Sequence, residues 1–373
     1  MRIPLIFIVL LVTASSPAAT FSIVHFGTPI QAQPAIEHAA GIWGGILVSD
    51  VPIKVSVSWT ALGGSSLGVT FPNGRKDFPG APVDSTWYPT ALVNSINQAE
   101  LNPGEDDINV YLNSSTNWYL GLDGDPPAGQ YDLVSVFLHE LGHGLGFLGL
   151  TKKEGAEGSF GAIQASDIAP LTTTFPWPEL DTLPGIFDRF LQAQDLTMLT
   201  DVANPSNTLG SLFTSGQLRW NGTNGLIGSG GAVIRIYSPS PYESGSSCVH
   251  LNEATYPTGN PNELMTPHVS PGQSNHWPGP IVIGVMRDIG WVVDPNVGLL
   301  EHHAPASCGV WPNPVDDQLR ISCSTYDKLL ITDLSGRSSV HSRNGDSWDV
   351  SQLQPGSYFV HGQSGPPLRF IKQ

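Results

Sequence analysis

Residues 133–144 constrain this chain more than any other stretch. Val134, Phe137, Leu138 and Leu141 recur at intervals of three and four, the spacing of one buried helical face, and Asp132 stands ahead of them as a cap. Into the same helix the sequence sets His139-Glu-Leu-Gly-His143. Side chains four apart lie one above the other, so both imidazoles leave a single face and can reach one ion, with Glu140 beside them. Whatever fold the chain adopts must bury the apolar side of this helix. The alternative, two histidines satisfied in a core or left in solvent, assigns the spacing no role.

The remainder reads as a turn-rich frame for that helix. The 373 residues suffice for two domains, and a hydrophobic fraction of 40% supplies a core. Charged residues make up only 13%, against 41 glycines and 32 prolines, which favours short strands and long loops over a helical bundle. The net charge of −16 excludes nucleic acid as a partner, because little basic surface exists to replace phosphate counterions.

The first 19 residues read as a signal peptide. Arg2 precedes an apolar run over 3–12 and then the small residues of 13–19, and cleavage is expected around Ala18 to Thr20. That run is too short to span a bilayer, and no later segment suits a transmembrane helix. Cys248, Cys308 and Cys323 contain no CxxC pair; a Cys308–Cys323 disulfide would leave Cys248 free, and the sequence alone leaves the pairing open.

Periodicity divides the rest. Helices are expected over 34–48 and 89–101, and a half-buried strand over 51–59, where Ile53, Val55 and Val57 alternate with Lys54, Ser56 and Ser58. Residues 63–84 read as loop. Residues 108–112 form a short strand, either internal or an exposed edge able to pair with an extended peptide. Residues 147–249 show no sustained period and read as a long insertion with structure of its own. The expected fold class is α+β: a domain over 20–295, a linker over 296–307, and a small β-sandwich over 308–373 built from short alternating strands.

Two histidines and a glutamate on one helix suit zinc, which polarises a carbonyl and lowers the pKa of its water while Glu140 takes the proton. A catalytic zinc needs a third protein ligand. Gly146 suits a chain bend, but Gly149, three residues on, has no side chain to offer. The ligand must come from farther away; His250, His268, His276, Asp188 and Glu253 are the candidates. Glu154 and Glu157 lack a helical face. Asp123, Asp125 and Asp132 offer oxygens to calcium or serve as turn residues.

The run Ser135-Val-Phe-Leu-His-Glu-Leu-Gly-His-Gly-Leu-Gly-Phe147 resembles the active-site helix of metzincin peptidases, especially the leishmanolysin-like group and bacterial secreted metzincin-like proteins. In leishmanolysins a long insertion follows the glycine, and the third histidine arrives just ahead of a methionine turn. Here His250-Leu-Asn-Glu253 and then Glu263-Leu-Met-Thr-Pro267 are similar to that arrangement. The resemblance implies His139, His143 and His250 as zinc ligands, Glu140 as catalytic base and Met265 beneath the metal. The spacing from His250 to Met265 is longer than in leishmanolysins, and their many disulfides are missing. The implied activity is a secreted zinc endopeptidase acting on protein or peptide; the alternative is a surface adhesin or binding protein with a structural or vestigial metal site.

A second resemblance lies at the C-terminus. Val310-Trp-Pro-Asn-Pro-Val-Asp-Asp-Gln-Leu-Arg-Ile321, Leu330-Ile-Thr-Asp-Leu-Ser-Gly-Arg337, Asp349-Val-Ser-Gln-Leu-Gln-Pro-Gly-Ser-Tyr-Phe-Val360 and Phe370-Ile-Lys-Gln373 look like a type IX secretion sorting domain. This implies handling by that secretion machinery and a secreted or cell-surface destination.

Overall fold

The computed structural model describes residues 18–63, 66–164, 167, 181–295 and 297, and farther on 310–311, 314–321, 328–333, 337–344, 347–361 and 368–373. Most of the expected signal peptide, most of the linker, and Cys308 and Cys323 lie outside the described residues. The chain divides into two compact units, Met1–Glu301 and His302–Gln373. The architecture is mixed α/β, with several small sheets and few helices.

In chain order the first strands are β1 (Phe21–Phe26), β2 (Ile53–Thr60), β3 (Gly68–Pro72), β4 (Gly74–Lys76), β5 (Trp87–Pro89) and β6 (Ile108–Asn113). Four of them form one sheet in the order β1-β2-β6-β3, while β4 and β5 pair with each other. β1, β2 and β6 run parallel, and β3 returns antiparallel to β6. The alternation read over 51–59 places Ile53, Val55 and Val57 in the core. β6 is flanked on both sides, so the edge-strand reading of 108–112 does not hold. The edges are β1 and β3, and β3 lies in the stretch read as loop: Gly68 and Pro72 flank the β-favouring Val69, Thr70 and Phe71, which pair with β6.

The helices that frame the site include α1 (Gln33–Ile46), α2 (Thr90–Asn97) and α3 (Leu133–Gly144). α2 ends before residue 101 because Gln98 turns left-handed, at φ 51°. The Asn94 side chain then takes over, accepting from the Leu101 N–H and donating to Asp107. α3 starts as its sequence requires, with Asp132 Oδ2 accepting from the Ser135 N–H at 2.8 Å. α1 packs across it, and the buried Trp43 indole donates to the Leu138 carbonyl at 2.9 Å. Beyond α3, Gly146 adopts φ 121°, a turn that sends the chain away from the helix.

The described residues of 147–249 include a hairpin (Thr151–Glu154 with Glu157–Phe160), the short helices Asn207–Leu212 and Thr223–Gly228, and a three-stranded sheet of two-residue strands. Their apolar side chains join the main core. Phe147 meets Phe187 at 4.9 Å between ring centroids, and Phe187 meets Trp220 at 4.7 Å. The helix Gly279–Ile289 closes this core, and Trp291 behind it donates to the Leu145 carbonyl at 2.7 Å.

Among the described residues of the second unit, seven short strands pair antiparallel one after another. A bridge between Val315 and Lys372 joins the two ends of the ladder, so one face is enclosed around Leu319, Ile331, Trp348, Val360 and Phe370.

Candidate metal centre

The last two turns of α3 carry His139 and His143 on one face, as the spacing requires. His250 reaches them from a loop 107 residues farther on. That loop is tied down on both sides: Tyr237 donates its N–H to the His250 carbonyl, and Leu251 donates to the Met265 carbonyl. The segment is thereby clamped between a neighbouring strand and the turn at Met265. The three Nε2 atoms lie 3.0 Å (His139 to His143), 3.1 Å (His143 to His250) and 3.3 Å (His139 to His250) apart.

The other nitrogen of each ring determines what these atoms can do. His139 Nδ1 faces the Leu264 carbonyl at 2.6 Å, His143 Nδ1 the Phe147 carbonyl at 2.7 Å, and His250 Nδ1 the Ser246 carbonyl at 2.9 Å. A carbonyl only accepts, so each Nδ1 carries the hydrogen and each Nε2 turns a lone pair toward the common centre. Three converging lone pairs repel one another unless a cation lies among them. Burial keeps the rings unprotonated: it pushes His143 down to about 3, aided by His139, and lowers His250 well below the ordinary imidazole value and His139 in the same direction. Neutral imidazoles in this tautomer are the form that binds a metal ion.

Among the described residues, these three form the group of side chains able to hold a metal. They open onto a cleft of about 920 Å³, lined also by Glu140, Thr70, Tyr242 and His268. Glu140 is buried, and desolvation raises its carboxyl to about 7, moderated by a hydrogen bond from Thr70 Oγ1 to Oε2 at 2.6 Å. Nothing in the sequence pattern marked Thr70, because the strand that carries it was itself hidden.

The other third-ligand candidates are engaged elsewhere. Asp188 is fully buried, accepting at Oδ2 from the Leu150 and Gly185 N–H groups. Its Oδ1 takes the space that a side chain at Gly149 would fill. His276 Nε2 pairs with Asp132 Oδ2 at 2.7 Å, and His268 Nδ1 with Glu253 Oε2 at 2.7 Å on the cleft wall. Met265 is buried under α3; a Cβ added to Gly142 would stand 2.7 Å from its sulfur. The acidic residues considered for calcium do not converge. Asp123 accepts from the Tyr119 hydroxyl at 2.6 Å, and Asp132 serves as helix cap and partner of His276.

Comparison with known families resolves the far end of the chain. Residues 309–368 match the family described as the secretion system C-terminal sorting domain. The C-terminal segment is a sorting domain. A sorting domain of this kind marks the chain for export by the type IX secretion machinery, to the cell surface or the medium. Residues 84–154, a stretch containing His139, Glu140 and His143 but far short of half the chain, match a family described only as SPBPB7E8-like. No curated protein and no solved structure matches the chain at a significant level. Among the described residues no helix is long and apolar enough to cross a membrane.

Proposed function

We propose that the first unit is a metzincin-like zinc endopeptidase which the sorting domain delivers outside the cell. The observation that carries this reading is the convergence of the three Nε2 atoms within 3.0–3.3 Å, each ring held from behind by a carbonyl. An all-imidazole set of three matches a catalytic zinc site with one position left open, and ligand distances of about 2.0–2.1 Å accommodate nitrogens at this mutual spacing. A zinc ion there would polarise the scissile carbonyl and acidify a water molecule.

The chain's own residues supply the rest. Glu140 lies beside the three nitrogens on the same helix, placed to take a proton from the attacking water and return it to the leaving amine. The Nδ1 contacts of the three histidines hold their rings in one orientation through the cycle. The edge strand β3 borders the cleft, where an extended peptide can add to it through sequence-tolerant backbone hydrogen bonds. Buried apolar side chains on the core side of α3 fix the helix that presents both Glu140 and two of the histidines.

Casein cleavage and bound zinc, measured together on wild type, Glu140→Gln and His250→Ala, test the proposal. Glu140→Gln should keep its zinc and lose activity by about a hundredfold or more, whereas His250→Ala should lose both. Wild-type protein that holds zinc but cleaves no protein substrate, or a Glu140→Gln variant as active as wild type, would overturn the peptidase reading in favour of a binding role.

A further inference from the structure

β3 touches Glu140 at two points. Thr70 is buried, and its hydroxyl donates to Glu140 Oε2 at 2.6 Å. Two residues earlier, on the same face of the strand, Gly68 lies directly against the carboxylate. A Cβ built there would stand 2.6 Å from Oε1 and 2.8 Å from Cδ and Cγ. Backbone pairing sets both positions: Gly68 lies opposite Leu112 and Thr70 opposite Val110 in the ladder with β6. The strand thus offers a donor to one carboxylate oxygen and clearance to the other.

We propose that Thr70 and Gly68 are positioning residues for Glu140, which rests on the peptidase reading of the same site. A glutamate side chain has three rotatable bonds, and a proton acceptor must be held near its target to work efficiently. The Thr70 hydroxyl fixes Oε2 and leaves Oε1 as the oxygen that accepts the proton from water. The missing side chain at residue 68 lets the carboxylate pass beneath the strand without deflection. Because β3 is also the sheet edge that borders the cleft, the strand which aligns an extended substrate also aligns the base. A substitution on this face therefore reaches the chemistry without touching a ligand nitrogen.

The test compares Thr70→Val, Thr70→Ser and Gly68→Ala with wild type in full-length protein, measuring kcat and KM on a fluorogenic peptide together with zinc content and thermal midpoint. Thr70→Val keeps the shape and the strand propensity but removes the donor. It should lower kcat by about a hundredfold, on the scale of a one-ångström misplacement, with KM and zinc content unchanged. Thr70→Ser should restore kcat to near wild type, and Gly68→Ala should reproduce the Thr70→Val loss. An active wild type with an equally active Thr70→Val overturns the positioning role and leaves the peptidase reading intact. A Thr70→Val defect confined to KM also overturns it, making Thr70 a substrate contact. Loss of zinc or of the thermal midpoint in Thr70→Val, not corrected in Thr70→Ser, overturns it in favour of a purely structural role. An inactive wild type removes both proposals together.

Discussion

Which atom carries the proton decides the chemistry of single residues here. The ring nitrogens are sorted by three backbone carbonyls, and Glu140 is tuned by burial against one hydroxyl. Asp188 shows the same physics in a group that the proposed reaction does not use. Burial raises its carboxyl to about 7, and two backbone N–H groups only partly offset this. The folded chain therefore prefers the neutral acid more strongly than the unfolded chain does. The stability contributed by that acid is complete below the unfolded value of about 4 and is lost as pH rises through about 7. Asp188→Asn keeps an acceptor for Leu150 and Gly185 but cannot ionise. Its thermal midpoint should gain on wild type between pH 5 and pH 8; a difference that stays constant over that range would mean Asp188 does not titrate there.

Elements act as carriers of geometry. α3 holds two of the three histidines and Glu140, and its start depends on Asp132. This carboxylate accepts from the Ser135 N–H at 2.8 Å and the Ser135 hydroxyl at 2.6 Å, and pairs with His276. Replacing it with alanine removes the cap and strands His276, so Asp132→Ala should cost about 1 kcal/mol or more. The cost should appear in denaturant midpoints, while zinc content at low denaturant stays normal because the histidines sit two turns away. The cap and the apolar face of α3 were legible in sequence because both are local: they depend on residues within one or two turns. β3 was not legible. Its three β-favouring residues, Val69, Thr70 and Phe71, stand between a glycine and a proline, too short a run to read locally, and pairing with β6, some forty residues on, completes the strand. The end of α2 was misplaced for a related reason, since Asn94 and Asp107 together stop it at Gln98.

The two units have separate cores, one running from Ala19 to Val293 and the other from Val315 to Phe370. Separate cores predict separable functions. A chain cut after residue 301 should bind zinc and melt as the corresponding unit does in the full chain, yet remain inside the cell, because it lacks the sorting domain. Cell fractionation and zinc analysis of the truncated form check both halves of this expectation. Loss of zinc binding on truncation would mean that the first unit needs the second to fold.

The helix with its two histidines and glutamate, and the sorting motifs, could be read from residue order alone, because each is written in short-range spacing that any helix or turn must express. Residue order narrowed the candidate third ligand to five side chains, three imidazoles and two carboxylates, with resemblance favouring His250, but could not place one. Long-range packing alone brings His250 to the other two, puts β3 rather than β6 at an edge of the sheet, and sets Thr70 against Glu140. Those facts depend on contacts between residues tens to more than a hundred positions apart, where the packing of the whole core, rather than any local period, brings side chains together.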